Sequence, residues 1–301
     1  MKRRLIMKFK TYIIAAMLIF GSIGLFVRGI NLPSSEIALF RGIIGSTFLL
    51  LSMAILKDRF SWKAVRSNLL FLLLSGAAIG ANWIFLFEAY KYTTISTATL
   101  CYYCAPVIVI MLSPLLLKEK LSGLKITCVL ASLLGMSFVA GINNLGGGGQ
   151  NNLLGIACGL TAAVLYASVM LMNKFLKGLS GIESSSTQLF IASIVLLPYV
   201  LMTQKISFSA FTGKTVLLIL VVGIVHTGIA YLLYFSAMQK LPGQTIALFS
   251  YIDPITAIVL SSLILGEAMN PLQIIGAFLI LGSTCISELH GIRKGIAASL
   301  E

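Results

Sequence analysis

A few charged or titratable side chains sit inside long apolar runs, and each brings a distinct chemistry. Asp253 lies directly before Pro254 in such a run. Proline removes a backbone donor and pushes the preceding residue away from helical geometry, so a kink or break is expected here. A carboxylate beside freed carbonyls can take a proton, a cation or a substrate amine. The competing reading is a carboxyl bonded to a neighbouring helix, holding the kink. His226, in the run before, lies at similar depth, and a His226–Asp253 pair would relay protons near neutral pH. A histidine satisfied by packing is the alternative. Arg41 and Glu88 lie at compatible depths and are expected to form a structural salt bridge. Otherwise the guanidinium is left to receive a substrate carboxylate through two hydrogen bonds.

Polar and aromatic residues accompany them: Asn82, Trp83, Tyr102, Tyr103, Tyr166, Tyr231, Tyr234 and Tyr251 all fall inside apolar runs. Each is a candidate wall for a ligand or a member of an interfacial belt. Glu119 and Glu267 stand in short breaks between runs and read as caps or loop closures without chemistry. The five cysteines lie within apolar runs and read as small buried hydrophobes. Cys101-x-x-Cys104 has metal spacing, but no second Cys pair or His accompanies it.

The elements that must position these groups follow from composition. Hydrophobic residues make up 58% of the 301 residues and charged ones 10%, too few to cover a globule in water. The bilayer is therefore the solvent. A charge at its centre costs at least ~2.5 kcal/mol on insertion scales, so each buried one needs a partner or a task. The net charge of +13 is spread between apolar runs, a pattern of membrane orientation and not of nucleic-acid binding. Ten runs reach spanning length: roughly 11–30, 35–56, 68–90, 95–117, 122–141, 152–173, 184–203, 215–236, 243–265 and 271–289. Residues 1–10 read as a basic cytoplasmic tail and 291–301 as a second tail. With the N-terminus inside, the inner segments hold 17 Lys/Arg and the outer ones four, which sets both termini in the cytoplasm.

The chain is also doubled. Shifted by 148 residues and without a gap, 16 of the 54 positions from Gly80 to Leu133 match Gly228 to Leu281. Pro106 falls on Pro254, Tyr103 on Tyr251 and Glu119 on Glu267, whereas Asp253 falls on Ala105. Residues 11–142 and 152–290 thus form two five-helix units, joined by a glycine-rich outer linker, 143–151. Five is odd, so the second unit enters from the opposite face. Its Gly266-Glu267-Ala268 turn lacks the lysines of Lys118-Glu119-Lys120, as an inverted copy requires. Inverted repeats are characteristic of secondary transporters with a midplane site between the halves.

The ten-run count, the paired units, LGEAMNPLQIIGAFLILG (Leu265 to Gly282), LFRGIIG around Arg41 and FEAYKYTTISTATLCYYCAPV (Phe87 to Val107) together resemble the drug/metabolite transporter superfamily, EamA-type. The resemblance covers nearly the whole chain. It implies a central cavity lined by helices 3, 4, 8 and 9, with Tyr103 and Tyr251 at its wall, and efflux of a small metabolite.

The expected architecture is an all-α polytopic membrane protein of ten helices in two inverted five-helix repeats. The expected function is a secondary transporter of amino-acid-like or amphiphilic solutes. Asp253, Tyr103, Tyr251, His226, Trp83, Asn82, Arg41 and Tyr231 are its candidate substrate contacts. Asp253 also offers a seat for a coupling proton. No Walker-type G-x-x-x-x-G-K-[ST] occurs, and no cofactor is required. The partners are the bilayer and a small-molecule substrate. Gly76-x-x-x-Gly80 and Gly21-x-x-Gly24 permit close helix approach, the first with the spacing of a homodimer contact. The other classes weighed, an intramembrane enzyme and a scaffold or sensor, find neither His-Glu-x-x-His nor Gly-x-Ser-x-Gly nor a soluble domain.

Overall fold

Apolar runs with no water to satisfy their backbone must fold as helices, and they do so throughout the computed structural model, which describes residues 2–56, 60–116, 122–140, 150–203, 211–241 and 243–298. Among the described residues seven helices are long and apolar enough to span a bilayer, and three shorter apolar ones (Gly123–Val139, Ile252–Leu265 and Pro271–Ser287) complete the expected set. In order these are helix 1 (Lys2–Arg28), helix 2 (Ser34–Leu56), helix 3 (Leu69–Tyr92) and helix 4 in two pieces (Ile95–Tyr102 and Ala105–Leu116). Helix 5 (Gly123–Ala140), helix 6 (Gln150–Asn173) and helix 7 (Gly181–Thr203) follow. Helix 8 runs through Gly213–Leu220, Val221–Ile229 and Ala230–Met238; helix 9 has two pieces (Gly243–Ser250 and Ile252–Leu265), and helix 10 is Pro271–Ala298. A short helix, Trp62–Ser67, precedes helix 3.

Two helices run beyond the expected spans. Helix 1 begins at Lys2, within the basic segment expected as a cytoplasmic tail, because Lys, Arg, Leu and Met are good helix formers and no breaker intervenes. Helix 10 likewise continues to Ala298, into the segment expected to be a tail. Glu119, Lys118, Lys120 and most of the linker 143–151 lie outside the described residues.

Contacts at the helix ends fix which ends share a face. Glu267, just past helix 9, accepts from Ile95 N at the start of helix 4 (2.9 Å) and pairs with Arg28 at the end of helix 1. Lys91, near the end of helix 3, donates to Leu32 O before helix 2, and Thr93 Oγ1 donates to Asn152 Oδ1 near the start of helix 6 (2.5 Å). On the other face, which carries the start of helix 1, Ser61 N donates to Glu183 Oε1 (2.8 Å) and Asn68 Nδ2 to Lys177 O (2.8 Å). Helix 1 therefore starts on one face and helix 6 on the other. The two five-helix units are inverted with respect to each other.

The packing repeats with the same symmetry. Helix 3 packs on helix 6 as helix 8 packs on helix 1, and helix 3 on helix 7 as helix 8 on helix 2. Helices 4 and 6 meet as helices 9 and 1 do, all of these between the two units, and the pairs 2–7, 4–9 and 5–10 join equivalent helices. Glycines allow the closest approaches. A Cβ on Gly135 would lie 2.7 Å from Gly276 O, and one on Gly24 would lie 2.7 Å from Ile95 Cγ2. Gly76 and Gly80 face Ile191 and Leu196 of this same chain, so that spacing serves intramolecular packing.

Candidate functional site

Helices 4 and 9 break at equivalent places. The pieces of helix 9 meet at Tyr251 and those of helix 4 at Tyr103–Cys104, the repeat partners. Pro254 and Pro106 sit in the first turn of the following pieces, where a missing N–H costs nothing because no intrahelical acceptor awaits it. The break expected at Asp253–Pro254 thus lies two residues earlier, and Asp253 stands in the first turn of Ile252–Leu265. There the positive end of the half-helix dipole favours its carboxylate. Tyr103 OH donates to Asp253 Oδ2 at 2.8 Å.

The broken helices run antiparallel. Ser96 Oγ meets Ser261 Oγ at 2.7 Å toward the Glu267 face, and Tyr103 meets Asp253 deeper in. Past the breaks they part: Ala105–Leu116 packs on helices 6 and 5, and Gly243–Ser250 on helices 10, 1 and 8. Helix 1 abuts the break from the other side, where a Cβ on Gly21 would clash with Asp253 O and lie 2.6 Å from Thr256 Cβ.

Arg41 does not pair with Glu88. The glutamate bonds Lys91 one turn on (3.2 Å), near the membrane edge where a long side chain reaches it. Arg41 instead points inward and is buried. Its Nε donates to Thr227 Oγ1 at 2.8 Å, and its guanidinium carbon lies 4.1 Å from the Trp83 ring centroid and 5.8 Å from that of Phe87. A cation over an aromatic face recovers part of the lost hydration. Among the described residues no carboxylate forms an ion pair with it. Tyr231, Tyr102 and Tyr90 lie within electrostatic reach of Arg41, and Tyr90 within reach of Asp253 as well.

His226 does not meet Asp253 either. Its Nε2 lies 3.1 Å from Ser22 Oγ on helix 1, its Nδ1 3.3 Å from Val221 O, and Phe26 packs on its ring at 4.7 Å. Both nitrogens have protein partners, as a satisfied packing histidine would have. Asn82 is buried and donates to Ala162 O (2.6 Å), linking helices 3 and 6. Tyr102 stacks on Tyr166 at 5.1 Å and meets Tyr103 edge-on at 6.4 Å. Tyr231 makes edge contacts with Phe20 (5.5 Å) and Phe235 (5.9 Å).

The candidates thus divide. Arg41, Trp83, Tyr102 and Tyr231 gather at a cationic pole, Asp253 and Tyr103 form an anionic pole, and Tyr251 stands at the break beside the latter. Asn82 and His226 are committed to helix packing. Thr227, Ser22 and Tyr90 are contacts that the sequence reading did not select. A hydroxyl in an apolar run carries no pattern that distinguishes a partner of arginine from a residue bonding its own helix. Among the described residues no three His, Cys, Asp or Glu side chains cluster as metal ligands. Chemically, the arrangement offers a charged fork, a carboxylate and aromatic faces.

Known proteins share this construction. A solved crystal structure superposes with TM-score 0.65 over 95% of this chain and 98% of its own, at 17% identity, which shows a common fold. The uncharacterized transporter YxxF of Bacillus subtilis (strain 168) is 30% identical over 94% of this chain and 90% of its own length. An uncharacterized transporter of Clostridium kluyveri is 30% identical over 73% of each. The EamA-like transporter family model matches twice, over residues 8–141 and 153–288, so the chain is a multi-pass membrane transporter of the EamA-like family.

Proposed function

We propose that the protein is a secondary transporter of small amphiphilic zwitterions of the amino-acid class, working by alternating access about the seam between its repeats. The observation that carries this reading is the pair of opposite charges within the membrane, Arg41 buried over the Trp83 ring and Asp253 at the break of helix 9 beside Tyr103. Arg41 offers donors for a carboxylate, and Asp253 accepts an ammonium group or a coupling proton. Trp83, Tyr102, Tyr103 and Tyr251 supply apolar faces for the side chain. The repeat supports a substrate role for Asp253, since Ala105 occupies the equivalent position and the fold persists there without a carboxylate. The distribution of Lys and Arg supports termini in the cytoplasm of a cell whose plasma membrane holds the protein. The resemblance to the drug/metabolite transporter superfamily supports net efflux.

Counterflow in proteoliposomes tests the reading. Vesicles loaded with unlabelled phenylalanine should accumulate labelled phenylalanine, and Arg41→Gln and Asp253→Asn should each abolish it. Equal counterflow in both variants would remove the charge pair from the mechanism.

A further inference from the structure

Helix 8 departs from its repeat partner, helix 3, at one place. In helix 3, Gly76 meets Ile191 and Gly80 meets Leu196, four residues and one turn apart. In helix 8 the equivalent glycines, Gly223 and Gly228, meet Ile44 and Phe48, and they are five residues apart. Three residues separate the first pair and four the second. The extra residue falls within Val221–Ile229, which is wound as a π-helix, whereas helix 3 is α-helical throughout. A π turn is how a helix absorbs one inserted residue without losing register on either side. The Gly223–Ile44 contact repeats Gly76–Ile191, and past the turn Gly228 meets Phe48, one residue short of the position equivalent to Leu196, so both glycines still pack on helix 2.

What it changes is Thr227. The Thr227 hydroxyl donates to Val222 O, five residues back, at 3.1 Å. A hydroxyl has one proton to give. With that proton committed to its own helix, Thr227 Oγ1 can only accept, and Arg41 Nε donates to it at 2.8 Å. A Cβ on Gly45 would lie 2.9 Å from Thr227 Cβ, so the threonine is wedged against helix 2 one turn past Arg41. The partner position in helix 7 shows the contrast. Gln188 aligns with Arg41 when Glu183 is set on Glu36, and its amide donates to Ser75 (2.7 Å) and Asn173 (2.6 Å), fully engaged in packing.

We infer that the one-residue insertion in helix 8 is a specificity device: its π turn aims Thr227 at Arg41 Nε, holding the other edge of the guanidinium toward a substrate carboxylate. This rests on the reading of Arg41 given under Proposed function. Thr227 is a positioning residue; it acts through Arg41.

The test compares phenylalanine with phenethylamine, which lacks the carboxylate, binding to the full-length protein in nanodiscs. Thr227→Val keeps shape and removes the acceptor. It should weaken phenylalanine about 10-fold or more, the worth of one hydrogen bond to a charged group, and leave phenethylamine unchanged. Thr227→Ser should restore the preference, and deletion of Val225 should mimic Thr227→Val. Equal weakening of both probes by Thr227→Val, or no weakening, overturns the proposal. If Arg41→Gln abolishes the preference and Thr227→Val does not, Arg41 stands and the device falls. If Arg41→Gln leaves the preference intact, the reading of Arg41 falls too.

Discussion

Replacing Glu267 with alanine should loosen the face at which helices 4 and 9 meet. Glu267 Oε2 accepts from Ile95 N at 2.9 Å while Oε1 pairs with Arg28. The side chains keep 10% and 36% of their exposure, so the ion pair resembles a surface pair and contributes about 0.5–1 kcal/mol. The bond to Ile95 N is different. Ile95 is buried, and Thr94 Oγ1 serves Thr97 N instead, so truncation strands a buried donor at about 1–3 kcal/mol. Together the loss is about 1.5–4 kcal/mol, or roughly 10- to 1000-fold in any equilibrium that opens this end. The readout is a cysteine at Ser261, whose hydroxyl is buried against Ser96. In a background without the native cysteines, its labelling by a membrane-impermeant maleimide should accelerate by that factor. Glu267→Gln keeps an acceptor and loses the charge, so its effect should be intermediate. An unchanged rate in Glu267→Ala would refute the reasoning, as would equal acceleration at a cysteine replacing Ser132, which lies between helices 5 and 10.

Asp253→Asn keeps an acceptor for Tyr103 and removes the charge; phenylalanine transport should fall at least about 10-fold, measured as initial uptake into proteoliposomes, with expression unchanged. Gly135→Val should lower the melting temperature in detergent by an amount matching about 1–3 kcal/mol, because its Cβ would meet the Gly276 carbonyl at 2.7 Å and backbone cannot step aside. Gly282→Ala, with nothing within 4 Å, should be neutral or stabilise helix 10 by about 0.5–1 kcal/mol in the same melt.

How far the molecule can be read from its residues depends on the physics involved. Span positions were legible because lipid demands continuous apolar helices, and the inversion because an odd helix number and lysine placement leave one solution. The break at Tyr251 was foreshadowed by Pro254, whereas the one at Tyr103, beside Pro106, the repeat partner of Pro254, was not expected. Pairings across helices were not legible. Depth along the membrane places Arg41 level with Glu88, but it does not give the angle around each helix, and that angle turned the arginine to Thr227 and Trp83. His226 met Ser22 for the same reason. The π turn left a trace in the chain: the gapless match begins at Gly80–Gly228, and Gly76–Gly223 falls one residue out of step. Only the packing on Ile191 and Ile44 shows that the mismatch is an insertion and not a chance pairing of glycines.

The seam where the broken helices 4 and 9 meet is tested most directly by locking it. Cysteines at Ser96 and Ser261, whose hydroxyls are 2.7 Å apart, should oxidise to a disulfide with little backbone movement. Cysteines at Ser132 and Ser283, 2.5 Å apart between helices 5 and 10, give the control for crosslinking itself. The 96–261 crosslink should stop transport in proteoliposomes and a reductant should restore it, while the control transports in both states. Full-rate transport through the oxidised 96–261 protein would contradict alternating access at this seam.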